Sequence, residues 1–162
     1  MDSELRVGMG VDAHVFEEGV PLVLGGVAID YPRGLAGHSD GDVVSHALID
    51  ALLGAANLGD IGSLFPSDDE QYRGASSLDL LWEAYREVRD AGWELVNADC
   101  VLVGEEPRIG PVRDEMCERL AGALGVEAGR VTVRATTTDG LGFTGRGEGL
   151  AAHAVALLRH AG

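Results

Sequence analysis

Lysine is absent from this chain of 162 residues, and its 12 basic residues, all arginine, face 27 acids, a formal net charge of −15. Duplex nucleic acid is held by Lys and Arg that neutralise phosphates, so no nucleic-acid partner is expected. Long apolar runs are also lacking. None approaches the roughly 20 residues that span a bilayer, and no membrane partner is expected. The opening MDSELRV carries acids where a secretory leader carries a basic stretch and then a long apolar one, which points to a cytoplasmic protein. Cysteine is scarce. Cys100 and Cys117 fall in segments that read as a strand and a helix, without the spacing of a zinc or redox motif, and read as buried free thiols.

What is present is ordinary for a soluble globular protein: 46% hydrophobic and 24% charged residues. A chain of this length buries about two-thirds of its unfolded surface, enough for one domain over residues 1–162 without a structural staple. An anionic substrate would meet a repulsive field, to be offset by metals and a few placed arginines.

Leu5 to Phe16 suits a strand, and Pro21 to Tyr31 a hairpin turning at Gly25-Gly26. Ser39 to Asp42 offers capping side chains ahead of a helix through Val43, Val44, Ala47, Leu48, Ala51, Leu52 and Ala55, ending near Asn57 to Gly59. The core face of that helix is expected to lie away from His46. Residues 60–76, rich in Gly, Ser, Asp and Pro, read as a loop and a candidate lid. A second helix runs from Ser77 to before Gly92, a strand from Trp93 to Gly104, and a third helix carries Met116, Leu120 and Leu124 to a stop at Gly125. Val131 to Ala135 is a short strand before a glycine-rich loop. Leu150 to Leu158 is ambiguous between helix, which its alanines favour, and strand. The order suggests α+β, with helices on one face of a sheet.

Asp12-Ala13-His14 lies in a strand whose two-residue period puts carboxylate and imidazole on the same face. His46 from the helix adds a third donor, and two nitrogens with one oxygen leave a coordination position open, as in catalytic zinc sites. On spacing alone such a set is more often structural. The run Thr136-Thr137-Thr138-Asp139, followed by glycines and Arg146, offers hydroxyl donors for phosphate oxygens and a hard-cation ligand, or a turn that binds nothing. His38 and Ser39 precede the His46 helix, whose start serves either as an anion site or simply as a capped terminus. Phe65-Pro66 gives the candidate lid an apolar hinge, or a surface for a ring.

These segments occur as G-x-D-x-H-x-F over 10–16, H-S-D-G-D-x-x-x-H over 38–46, D-A-L-L-G-A-A-x-L-G-D-I-G over 50–62 and A-T-T-T-x-x-L-G-F-T-G-R-G-E-G over 135–149. In this order, and from Arg6 to Leu158, the chain resembles the 2-C-methyl-D-erythritol 2,4-cyclodiphosphate synthases of non-mevalonate isoprenoid synthesis. The resemblance implies a mixed sheet with a ferredoxin-like βαβ arrangement, assembled as a homotrimer with active sites between subunits. It implies a phosphorus–oxygen lyase: the 2-phosphate of 4-diphosphocytidyl-2-C-methyl-D-erythritol 2-phosphate attacks the β-phosphate, and CMP leaves.

By the same resemblance Asp12, His14 and His46 hold Zn2+, Asp139 holds a second divalent cation (Mg2+ or Mn2+), and His38 and Thr137 stabilise the transition state. Substrate contacts are implied at Asp12, Ala13, His14, His38, Ser39, Asp60, Ile61, Gly62, Phe65, Pro66, Ser67, Asp68 and Asp69. The cytidine diphosphate end falls to Gly104, Glu105, Glu106, Pro107, Arg108, Ile109, Gly110, Thr136, Thr137, Thr138 and Asp139. Phe143 and Arg146 are implied beside a central cavity that can hold an isoprenoid diphosphate. Asp139 stands where Glu is usual, Arg108 for Lys, Ser67 for Asp and Val11 for an aromatic residue. The same ligands would also serve a zinc-dependent phosphohydrolase of a nucleotide-linked substrate, or a non-catalytic module that binds isoprenoid diphosphates.

Overall fold

A strand of 14 residues, β1 (Leu5–Glu18), opens the fold, followed by the short strands β2 (Leu22–Leu24), β3 (Val27–Ile29) and β4 (Arg33–Leu35). The computed structural model describes residues 4–162, so the first three residues of the acidic opening lie outside the described residues. The β2–β3 hairpin turns where expected, at Gly25 and Gly26, whose φ angles of 57° and 75° suit glycine. Helix α1 (Val43–Ala55) follows, then a single turn α2 (Ile61–Leu64), α3 (Ser77–Asp90), β5 (Trp93–Val103), α4 (Arg113–Leu124), β6 (Val131–Thr136), a turn α5 (Gly142–Gly145) and β7 (Gly149–His160).

The main sheet has the order β4-β1-β7-β5-β6. β7 runs antiparallel to both β1 and β5, whereas β6 is parallel to β5. The expected ferredoxin-like arrangement therefore holds only in its first half: β1 and β5 point the same way with β7 between them, a split βαβ unit. The second half departs from it, because β5 and β6 are adjacent parallel strands joined across α4. Helices cover one face: α1 packs on β1 and β7, α4 on β6, and α3 on α1 and α4.

The ambiguous last segment is a strand at the heart of the sheet. Leu150, Ala152, Ala154, Ala156 and Leu158 are buried at every second position, while His153 and Val155 point outward. Alanine's helical preference is overridden because small side chains let α1 lie close on the strand. α1 itself is buried all round, with 11 of its 13 residues in the interior. This corrects the expectation that the core face of the helix lies away from His46, which is itself buried. Segment 60–76 also departs from a plain loop, since it contains α2 and a further turn at Glu70–Tyr72, and Phe65 is buried in the core. The opposite face of the sheet is left apolar and open: Val7, Met9 and Val11 are 68%, 66% and 50% exposed. Among the described residues no helix is long and apolar enough to cross a membrane.

Candidate metal centre and substrate cavity

The alternation of β1 turns Asp12 and His14 toward α1, and sends Ala13 to the opposite, exposed face of the sheet. His46, one turn into α1, comes down on the same pair. His14 Nε2 lies 2.8 Å and His46 Nδ1 3.1 Å from Asp12 Oδ2, and one donor atom from each of the three residues falls within 4.8 Å of the others. Tetrahedral zinc with bonds near 2.0–2.1 Å separates its ligand atoms by about 3.3 Å. The two contacts to Asp12, at 2.8 and 3.1 Å, lie close to that spacing, and the donor set suits a small divalent cation. Ring orientation is fixed from behind, His14 by a hydrogen bond to the Ala36 backbone and His46 through Nε2 to the hydroxyls of Ser77 (2.8 Å) and Ser39 (2.9 Å).

Charge is arranged to match. Burial pushes the Asp12 carboxyl up, but hydrogen bonds and charge interactions from His14 and His46 outweigh it and hold the group at about 2. The Asp12 hydrogen bond raises His14 above its ordinary 6.5, against the opposing effect of burial. A cation entering the site therefore meets an ionised carboxylate and must displace the proton that His14 favours.

α1 is aimed by its N-cap. Asp42 accepts from Ser45 N (3.0 Å) and Ser45 Oγ (2.7 Å), and also from the hairpin amides of Gly25 (2.9 Å) and Gly26 (2.7 Å). Complete burial pushes its carboxyl above the usual range, against the pull of these donors. The start of this helix is capped by Asp42, and His38 and Ser39 ahead of it face the cavity described below.

The triad opens onto a cavity of about 600 Å³, lined also by His38, Ser39, Ile61, Gly62, Phe65, Pro66, Ser67 and Asp68. Tyr72 and Leu80, which sequence reasoning missed, complete the wall. Asp60 and Asp69 stand outside this lining as caps, Asp60 accepting from Ser63 N and Asp69 from the side-chain amide and then the backbone N of Gln71. Those bonds draw both carboxyls below their ordinary range. The segment is held at several points: Ile61 N donates to Asp50 (2.7 Å), Gly74 N to His38 O (2.9 Å), and His38 Nε2 lies 3.1 Å from Asp69 O. Asp50 is raised mainly by burial, although the Ile61 amide favours its ionised form.

The remaining expected residues are elsewhere. Gly104, Glu105, Pro107, Arg108, Ile109, Gly110, Thr136 and Thr137 line a second cavity of about 380 Å³. Thr136 is level with Ala13 across Val103 and Ala151, so three strand spacings, about 14 Å, separate the two groups within one chain. Asp139 lies in a left-handed turn (φ 53°) beside Thr137, whose hydroxyl is 3.3 Å from its carboxylate. Across from it Glu105 accepts from Gly140 N at 3.1 Å. Thr138 is tied to Thr144 (2.9 Å), Glu106 and Arg146 line a smaller cleft, Arg146 pairs with Glu148 at 2.6 Å, and Phe143 is exposed. Among the described residues, Asp12, His14 and His46 form the one cluster able to give a metal three ligands, and Asp139 is not part of it.

An α+β fold that gathers an Asp-His-His donor set beside a capped helix and a cavity of ligand size defines a candidate metal and small-molecule site. The chain belongs to the YgbB family, whose model matches residues 5–159. It is 58% identical over 154 residues to the 2-C-methyl-D-erythritol 2,4-cyclodiphosphate synthase of Moorella thermoacetica, covering 95% of this chain and 94% of that one. Among solved structures it superposes on a CDP-bound form of 2C-methyl-D-erythritol-2,4-cyclodiphosphate synthase with a TM-score of 0.86 at 42% identity, covering 94% of this chain and 99% of that one. On the bifunctional IspDF of Campylobacter jejuni the TM-score is 0.94 at 43% identity, and 98% of this chain spans 43% of that longer chain.

Proposed function

We propose that this chain, as one domain, is a 2-C-methyl-D-erythritol 2,4-cyclodiphosphate synthase: the 2-phosphate of 4-diphosphocytidyl-2-C-methyl-D-erythritol 2-phosphate displaces CMP from the β-phosphate and closes the ring. The carrying observation is the Asp12, His14 and His46 donor set opening onto the cavity of about 600 Å³. Close identity to a relative of that name, and likeness to one that binds CDP, support the substrate class.

Bound there, Zn2+ would supply positive charge to the β-phosphate and so lower the barrier to attack by a second anion. The chain's own groups do the rest. Asp12, His14 and His46 fix the cation; His38 and Ser39 donate to phosphate oxygens; Ile61 to Asp68 enclose the methylerythritol part and keep water from competing as nucleophile. Residues Gly104 to Gly110 hold the cytidine, and Thr136 to Thr138 its phosphates. Asp139 would hold a second divalent ion, Mg2+ or Mn2+, which would supply further positive charge to the phosphates.

The family resemblance carries the reading that the chain forms a homotrimer with the complete site between subunits, and the spacing of about 14 Å between the two groups of substrate contacts in one chain leaves room for a site shared in that way. The open apolar face of Val7, Met9 and Val11 supports that assembly, since monomers rarely leave such a patch bare. Phe143 and Arg146 would then border a central cavity able to take an isoprenoid diphosphate.

Incubating the metal-loaded chain with the diphosphocytidyl substrate and following phosphorus resonances tests the reading. Equal amounts of a cyclic diphosphate and CMP are expected, with loss of both after chelation. An acyclic phosphate, or binding without turnover, would overturn it.

A further inference from the structure

Behind the metal ligand His46 lies a second line of side chains that the reaction does not account for. Ser77, the first residue of α3, is fully buried yet does not cap its own helix, whose N-cap is Ser76. Its side chain is turned inward instead, with Oγ 2.8 Å from His46 Nε2 and also hydrogen-bonded to Asp40 Oδ1. The other oxygen of Asp40 accepts from Ser77 N at 2.9 Å, and Asp42 N donates to Oδ1 at 3.1 Å. Asp40 is thus held by backbone from two directions, the start of α1 and the start of α3.

The direction of the chain follows from donor arithmetic. A carboxylate only accepts, so the single Ser77 proton goes to Asp40 and a Ser77 lone pair is left facing the imidazole. His46 Nε2 must then carry a proton and donate it. Nδ1, which faces Asp12 at 3.1 Å and donates to it in the metal-free chain, is then the nitrogen left to give its lone pair to a cation in place of that proton. Ser39 Oγ lies 2.9 Å from the same Nε2, but among the described residues no acceptor orients its hydroxyl, so it does not select the tautomer.

We infer that Asp40 and Ser77 are positioning residues for metal binding: they set the tautomer and ring angle of His46 and so present Nδ1 to the cation. This rests on the metal-site reading proposed above. Outer hydrogen bonds of this kind typically change metal affinity by about 10–100-fold.

The test is competition titration of the metal-free chain with zinc against a chromophoric chelator, alongside melting of the same metal-free samples. Ser77→Ala and Asp40→Asn are expected to weaken zinc by about 10–100-fold, beyond any change that Ser39→Ala produces, with Ser77→Thr restoring part of the loss. A purely structural role would lower the metal-free melting temperature of Ser77→Ala and leave its zinc affinity at the wild-type value, which would overturn the inference.

Nitrogen NMR of zinc-loaded wild-type protein labelled at histidine needs no variant. Protonated Nε2 and metal-shifted Nδ1 at His46 are expected; metal on Nε2 would overturn the inference. If wild type and His46→Ala bind zinc alike, the metal-site reading itself fails and the relay falls with it. Intact wild-type binding with an unaffected Ser77→Ala removes the relay alone.

Discussion

Gly10 of β1 lies so close beneath Ala47 of α1 that a Cβ at position 10 would come within 1.9 Å of the Ala47 carbonyl oxygen. Gly8 meets Ala51 in the same way, at 2.0 Å. These contacts bring the helix down onto the strand next to the three ligands, since Gly10 and Asp12 share one face of β1 and Ala47 follows His46. Neither partner is a movable side-chain end. Gly10→Ala should therefore destabilise the metal-free chain by about 3 kcal/mol, the upper part of the overpacking range, and weaken zinc by lifting His46 away from Asp12. Urea unfolding with a parallel zinc titration checks both. An unchanged zinc affinity in folded Gly10→Ala protein would separate the strand–helix spacing from the site.

Asp42 has four protein donors on one fully buried carboxyl. Asp42→Ala leaves buried amides of the hairpin and the helix start unpaired and should cost about 3 kcal/mol or more. Asp42→Asn, which keeps acceptor capacity on one oxygen, should lose less. Equal unfolding midpoints for the two variants would contradict this.

Protons and zinc compete at His14. Its raised pKa in the metal-free chain means that apparent zinc affinity should begin to fall above pH 6.5 as the solution is acidified, rather than at the value of a free imidazole. Stability of the metal-free chain should run the other way. The Asp12–His14 pair contributes fully below the unfolded histidine value and is lost as pH rises through the folded one. The Asp12 side of the pair persists down to its folded value of about 2 and is lost on acidifying through it. Zinc titrations and urea melts between pH 5 and 8, about the range in which histidines titrate, should therefore slope in opposite directions. Parallel slopes would contradict the assignment of the raised group.

The bare sheet face is tested by Met9→Glu, which sets a charge among Val7, Val11 and Val155. Sedimentation should show the wild-type chain as a trimer and the variant as a monomer with an unchanged melting profile at low concentration. A wild-type monomer, or a variant trimer, would contradict a subunit contact on this face.

That Asp12 and His14 share a face was legible from strand alternation, but spacing alone did not bring His46 to them; the family motifs did. The cap at Asp42 and the stop at Gly125, which adopts φ 68°, were also legible from local sequence. Ser77 was not, since its partners Asp40 and His46 lie 37 and 31 residues away and no spacing rule links them. β7 was obscured by alanines, whose choice reflects how near α1 lies and not which backbone they prefer. α2 was hidden in a polar segment where one helical turn, closed by the Asp60–Ser63 capping box, has no apolar period to show. The proposed subunit contact was not legible, because the alternate Val7, Met9 and Val11 of β1 read only as one face of a strand.

The most direct measurement is turnover of the diphosphocytidyl substrate by zinc-loaded protein in ¹⁸O-enriched water, read from the isotope shifts of the phosphorus resonances. The expected result is a cyclic diphosphate and CMP with no ¹⁸O in either, in wild type and not in His46→Ala. Incorporation of ¹⁸O into a product phosphate would make the chain a hydrolase, and undiminished cyclisation by His46→Ala would remove the cation held by Asp12, His14 and His46 from the chemistry.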